Sequence, residues 1–157
     1  MLRSALSALA CALPAPVAEA HCDGPCGVYD PASARVAAEA VLSMTKKLKA
    51  MDAPAAGDAA ALAAYNNTFG RYVAIKEEEA QKTKKELLIL WTDYFKPDHL
   101  ATFPDLHDTF WKAAKLCSAC KVNIDQAKAE ELMAAVEKIH GMFWQSKGRS
   151  DAWVTAS

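Results

Sequence analysis

The chain has little glycine, six residues in 157, no excess charge of either sign, and no long apolar run beyond its first twenty residues. Each scarcity excludes something. A formal net charge of −1 produces no field that would recruit nucleic acid or an anionic membrane. A membrane-spanning helix needs about 18 to 20 consecutive apolar residues, so the mature chain is expected to be soluble, with neither a nucleic-acid nor a membrane partner. Internal repeats and low-complexity tracts are missing too, apart from an alanine-rich turn region. One domain around one core is the default at this length.

Ala, Leu, Lys and Glu are plentiful, and the apolar residues recur at three- and four-residue steps, the spacing that lines one face of a helix. The chain reads as all-α. Asp30-Pro31 offers an N-cap acceptor followed by proline at the first helical position, where its missing N–H costs nothing. The first helix is expected to run to Ala50, burying Val36, Ala40, Val41, Met44, Leu48 and Met51 and leaving Arg35, Glu39, Lys46, Lys47 and Lys49 to solvent. After a connector with Pro54 and Gly57, Asp58 caps a long second helix that continues to Tyr94 or Phe95. Its buried positions are expected at Leu62, Tyr65, Phe69, Tyr72, Val73, Ile75, Leu87, Leu88, Leu90 and Trp91. The charged stretch 76–86 reads as a solvated face.

Lys96-Pro97 breaks that helix, and a third is expected over 104–119, with Leu106, Phe110, Ala113, Ala114 and Cys117 inward. Asp125 caps a fourth, whose stripe is Ala129, Leu132, Met133, Val136, Ile139, His140 and Phe143, with Trp144 beside it. Residues from Gly148 onward read as a frayed tail. Four amphipathic helices on short connectors bury their stripes most economically as an antiparallel four-helix bundle.

The first twenty residues differ in kind. Arg3 is followed by an apolar run over 5–17 and closed by Ala18-Glu19-Ala20, the grammar of a cleaved presequence. Pro14 and Pro16 argue against a core helix there. Export is the expected destination, periplasmic or extracellular, with an organelle or cytoplasmic propeptide removal as alternatives. Cleavage after Ala20 removes Cys11 and leaves Cys22, Cys26, Cys117 and Cys120. An even set in an exported chain would ordinarily suggest disulfides.

A chain beginning at His21 concentrates metal donors within six residues: the α-amine and imidazole of His21, the amide nitrogen and thiolate of Cys22, and the thiolate of Cys26. Planar nitrogen and sulfur donation suits nickel(II) or copper(II) better than zinc, which prefers a tetrahedron. Gly24, Pro25 and Gly27 let the segment fold back so that both thiolates reach one ion. Thiolates also bring the Ni(III)/Ni(II) couple within reach. Two other readings remain open on the residues alone: a module that captures nickel or copper without turnover, and a Cys22–Cys26 disulfide with no metal.

The run His21-Cys22-Asp23-Gly24-Pro25-Cys26-Gly27-Val28-Tyr29-Asp30-Pro31-Ala32 resembles the nickel-hook motif of nickel superoxide dismutases. Leu90-Trp91-Thr92-Asp93-Tyr94-Phe95-Lys96-Pro97 is similar to a second block of that family, and Ile139, Phe143 and Trp144 look like its last helix. The resemblance implies a presequence over 1–20 removed by a maturation protease, and a domain over 21–157 whose residues 21–29 form the hook. It implies four-helix subunits assembled as a homohexamer, with one nickel ion per subunit cycling between Ni(III) and Ni(II) as superoxide becomes dioxygen and hydrogen peroxide. His21, Cys22 and Cys26 would then be the ligands, Tyr29 and Tyr94 would line the pocket over the metal, and Asp23 would help pack the hook.

Two places depart from the family. A helix-one glutamate and a helix-two arginine that support the axial imidazole match Ala37 and Glu79 here, which suggests that Glu79 accepts the imidazole N–H of His21. Cys117-Ser118-Ala119-Cys120 is expected to be packed thiols or a structural disulfide, since a thioredoxin-like role lacks its βαβ context. His99, His107 and His140 read as locally satisfied histidines. Lys84 and Lys96 are candidates to attract an anionic substrate.

Overall fold

The structure, a computed structural model, describes residues 27–156. The presequence and the donors His21, Cys22 and Cys26, with Asp23, lie outside the described residues. Four helices follow in order: α1 (Ala32–Lys49), α2 (Ala59–Ile89), α3 (Leu106–Val122) and α4 (Gln126–Ser146). No strand occurs among the described residues. Consecutive helices pack side by side and α4 closes back on α1, so each helix has two neighbours around one core. This is the expected antiparallel four-helix bundle. No helix of the described residues is long and apolar enough to cross a membrane.

The caps work as local chemistry dictates. Asp30 Oδ1 accepts from the N–H of Ala32 at 2.7 Å, Asp58 Oδ1 from Ala61 at 2.9 Å, and Asp125 Oδ1 from Ala127 and Lys128 at 2.9 and 3.3 Å. Each satisfies amides that the first helical turn cannot. The inward rows of α3 and α4 are also as expected. Leu106, Phe110, Ala113, Cys117, Leu132, Val136, Ile139 and Phe143 are all buried. Each large apolar side chain so enclosed contributes about 1.5 to 3 kcal/mol.

α1 is rotated from its expected face. Its buried residues are Ala34, Ala37, Ala38, Glu39, Val41, Thr45 and Leu48, while Val36 is 52% exposed. Much of the buried surface of α1 is alanine, and Ala80 of α2 is buried in the same core, while the bulkier Val36 is exposed and Met44 only half-buried. Thr45 is tolerated at its buried position because its hydroxyl donates to the Val41 carbonyl at 2.8 Å.

The stretch 76–86 is not a solvated face. Lys76, Ala80, Thr83 and Glu86 are buried, whereas nothing between residues 59 and 75 is, and Leu62 and Ile75 are 48% and 39% exposed. Lys76 is 1% exposed. Its ammonium donates to the carbonyls of Cys120, Lys121 (2.9 Å) and Asn123 (3.3 Å), the acceptors that the last turn of α3 leaves over. Burial pushes its pKa down, against the opposing pull of Glu77 and Cys120.

The tail is not frayed. His140 Nε2 meets the carbonyl of Asp151 at 3.1 Å, Trp153 lies 5.4 Å from the His140 ring, and the N–H of Ala156 donates to Glu39 Oε1 at 2.7 Å. Glu39, expected in solvent, is therefore 8% exposed beneath the tail.

Candidate metal centre

The described chain enters at Gly27, whose φ of +65° is a left-handed conformation that side chains rarely adopt. That turn carries the backbone from the cysteine segment to Tyr29. At the other end of the bundle sequence, α2 runs into a π-helical turn over Leu90–Tyr94, closed by a bond from the N–H of Phe95 to the carbonyl of Leu90 at 3.1 Å. Such wide turns are common at functional sites. Lys96, preceding Pro97, is extended as proline requires, and a 3-10 turn over Pro97–Ala101 follows.

These two segments bring Tyr29 and Tyr94 together, ring centroids 5.5 Å apart. Beneath them Tyr94 packs on Phe143 at 4.6 Å, on Phe95 at 5.0 Å and in a stack on His99 at 5.8 Å. A cavity of about 400 Å³ opens over the pair, lined by Gly27, Tyr29, Asp93, Tyr94, Lys96 and His99. A second, of about 130 Å³, lies on the far side of Tyr29 among Ser33, Glu86, Ile89 and Leu90. Lys96 supplies a cation at the first opening, and Lys147 Nζ sits 5.1 Å from the Tyr94 ring centre. Tyr94 Oη lies 2.6 Å from Ser146 Oγ.

Lys84 instead reaches the hydroxyl of Ser118 at 3.3 Å, tying α2 to α3. Glu79 stands two helical turns, about 10 Å, from Glu86 along α2, and of the α2 carboxylates it is Glu86 that lines the cavity beside Tyr29, together with Asp30 from the N-terminal strap. Ala37 is wholly buried. Ser146, Lys147 and Glu86 were not read from the sequence; for Ser146 and Lys147 the available signal was their place one turn beyond Phe143 at the end of α4.

The other potential ligands have structural partners. His99 Nδ1 accepts from the N–H of Lys96 at 2.9 Å, and His107 Nδ1 from the Trp91 indole at 2.8 Å. Cys117 and Cys120 are free, fully buried thiols, which settles the expectation for packing rather than a disulfide. Burial raises their pKa values to about 12 and about 11. Among the described residues no group of three or more His, Cys, Asp or Glu gathers into a metal site.

A four-helix bundle with a pocket of paired tyrosines beside Gly27, the first described residue, and with His21, Cys22 and Cys26 just before it in sequence, fits the class of helical-bundle redox metalloproteins. The sequence model of the nickel-containing superoxide dismutase family matches residues 16–147. The chain belongs to that family: superoxide is its substrate and nickel its metal. It is 39% identical over 129 residues to the nickel superoxide dismutase of Streptomyces seoulensis, covering 82% of this chain and 88% of that protein. The Streptomyces coelicolor enzyme is 37% identical over 128 residues, with the same coverage. A native nickel superoxide dismutase crystal structure superposes with a TM-score of 0.70 at 36% identity, covering 82% of this chain and 99% of that one. A structure with the ligation of the oxidised state gives 0.70 at 38%.

Proposed function

We propose that cleavage after Ala20 frees His21, and that its α-amine and imidazole, the amide nitrogen and thiolate of Cys22 and the thiolate of Cys26 hold one nickel ion per subunit over the Tyr29–Tyr94 pocket. The observation that carries this reading is the position of that pocket. It opens at Gly27, the residue after Cys26, and its walls come from the C-terminal end of the π turn (Asp93 and Tyr94), from Lys96 and His99 just beyond it, and from the N-terminal strap. The donor set fits the metal, since deprotonated amide and thiolate ligands favour a planar nickel(II) environment. Bound there, nickel supplies the one-electron oxidation and reduction that dismutation needs.

The chain's own groups do the rest. Lys96 draws the anion to the opening without any basic net charge. Tyr29 and Tyr94 narrow the space above the thiolates, admit a diatomic species and water, and limit contact with larger molecules. Asp23 packs the hook. Glu79 or Glu86 accepts the imidazole N–H of His21; Glu86 is favoured by its place in the cavity beside Tyr29, Glu79 by its alignment with the family's supporting pair. The half-exposed apolar face on the first part of α2, including Leu62 and Ile75, supports assembly into a homohexamer. We assign residues 1–20 to an export presequence removed by a maturation protease.

The test is superoxide turnover and nickel content on protein made to begin at His21 and on the uncut precursor, each reconstituted with nickel. Turnover confined to the His21 form supports hook and processing together. Nickel bound without turnover points to a metal-binding module, and equal turnover by both forms refutes the need for a free His21 amine. The same assay, with metal spectroscopy, on Glu79→Gln and Glu86→Gln decides which carboxylate holds the imidazole.

A further inference from the structure

Tyr94 has a proton whose destination the structure fixes. Ser146 Oγ lies 2.6 Å from Tyr94 Oη and 2.6 Å from the carbonyl oxygen of Phe143. A carbonyl can only accept, and a serine hydroxyl has one proton to give. That proton goes to Phe143, so Ser146 must receive the hydrogen bond from Tyr94. The reason Phe143 calls on a side chain is the end of α4: the N–H of Lys147, which a continuing helix would send to Phe143, bonds the Trp144 carbonyl at 3.1 Å instead. Lys147 Nζ, 5.1 Å from the Tyr94 ring centre and 5.2 Å from that of Phe143, holds the two rings against the same turn.

We propose that Ser146 is a positioning residue that commits the Tyr94 hydroxyl proton to α4 and leaves only lone pairs of the phenol oxygen facing the pocket. Tyr94 then accepts from O–H groups, those of water and of the product hydrogen peroxide, and offers nothing to the superoxide anion, which carries no proton. The anion is met by donors elsewhere on the rim, of which Lys96 is the charged one. The two partners over the metal thus divide the work by proton content, with Tyr94 ordering the protonated species. This rests on the reading that the pocket lies over the nickel.

The experiment begins with nickel-free protein starting at His21 and carrying isotope-labelled tyrosine. The phenol C–O stretch, which separates donor from acceptor hydroxyls, is recorded by infrared difference spectroscopy, with Tyr94→Phe used only to assign the band. The expected result is a donor signature for Tyr94 that Ser146→Ala abolishes and Ser146→Thr restores, the bundle's circular dichroism being unchanged. Loaded with nickel, Ser146→Ala should turn over superoxide about three- to tenfold more slowly, the effect of one hydrogen bond, with Ser146→Thr near wild type. A Tyr94 band unmoved by Ser146→Ala overturns the hydrogen-bond assignment. A moved band with undiminished turnover overturns the role in the reaction. Failure of the pocket reading is told apart, because wild-type protein loaded with nickel would then not turn over while the band shift persisted.

Discussion

Lys76→Met tests whether a buried cation stabilises this bundle or merely survives in it. Two effects oppose each other at this position. Methionine keeps most of the apolar stem and removes an ammonium that burial disfavours, and replacing a buried charge by an apolar group is often neutral or stabilising. Against that, the ammonium is the donor for three carbonyls at the negative end of α3. Lys121 and Asn123 belong to half-buried and exposed positions and can turn to water, but Cys120 is 1% exposed and its carbonyl cannot. A buried acceptor left unpaired costs about 1 to 3 kcal/mol, and loss of the charge at the helix end adds up to about 1 kcal/mol. With part of this offset by the relieved desolvation, the expected net loss is about 2 kcal/mol. In urea, where a domain of this size has a slope of about 2 kcal/mol per molar, the midpoint should fall by about 1 M. The assay is equilibrium unfolding of the nickel-free chain beginning at His21, followed by circular dichroism at fixed protein concentration. The native pKa of Lys76 lies below its ordinary 10.5, so between the two values the unfolded chain binds more protons. Wild-type stability therefore gains on the variant as pH rises through that window. An unchanged or higher midpoint for Lys76→Met would show that desolvation outweighs capping and would refute the reasoning.

Two further outcomes are expected. Cys117 and Cys120 should resist alkylation in the folded protein at neutral pH and react once it is unfolded in urea; because their pKa values rise from 9.0 to about 12 and about 11, the native state keeps protons that the unfolded state releases, and stability should fall as pH climbs from 9.0 toward 12. Modification of either thiol in native protein at neutral pH would contradict this burial. Ending the chain after Lys147 removes the Trp153 contact and the bond to Glu39, about 3 to 5 kcal/mol gross, most of which the released chain entropy offsets. A drop of roughly 5 °C in the melting temperature, with metal binding unchanged, is expected by calorimetry, and no drop would mean the tail rests on the bundle without stabilising it.

What could be read from the sequence was whatever local chemistry decides. The aspartate caps at 30, 58 and 125 declare themselves within three residues, and the large apolar side chains of α3 and α4 repeat at helical spacing. The misreadings all depend on distant partners. The buried face of α1 is rich in alanine, which carries little hydrophobic signal, whereas the bulkier Val36 and Met44 stand out at helical spacing. Lys76 looks like a surface residue until the end of α3 supplies carbonyls for it. The polar Gly148-Arg149-Ser150-Asp151 run hides a tryptophan that docks two residues later. At the site, the proposed donors His21, Cys22 and Cys26 suggest themselves because they are close in sequence, whereas Tyr29 and Tyr94, which the fold brings together, were singled out only through resemblance. The Ser146 contact, 52 positions from its partner, needed the fold.

The π turn at Leu90–Tyr94 gives the bundle an adjustable joint. One residue advances a helix by about 100°, so the extra residue in that turn works as a phase shift between two messages written on the same strand of sequence. Upstream, Ala80, Thr83 and Leu87 must keep time with α1 and α3; downstream, Tyr94 must face Tyr29. A deletion within the turn would leave the first rhythm intact and swing the second by more than a quarter revolution, parting scaffold from pocket with no loss of helix. Because Leu90 and Phe95 are themselves buried, the joint is also where pocket geometry and core packing are tied together.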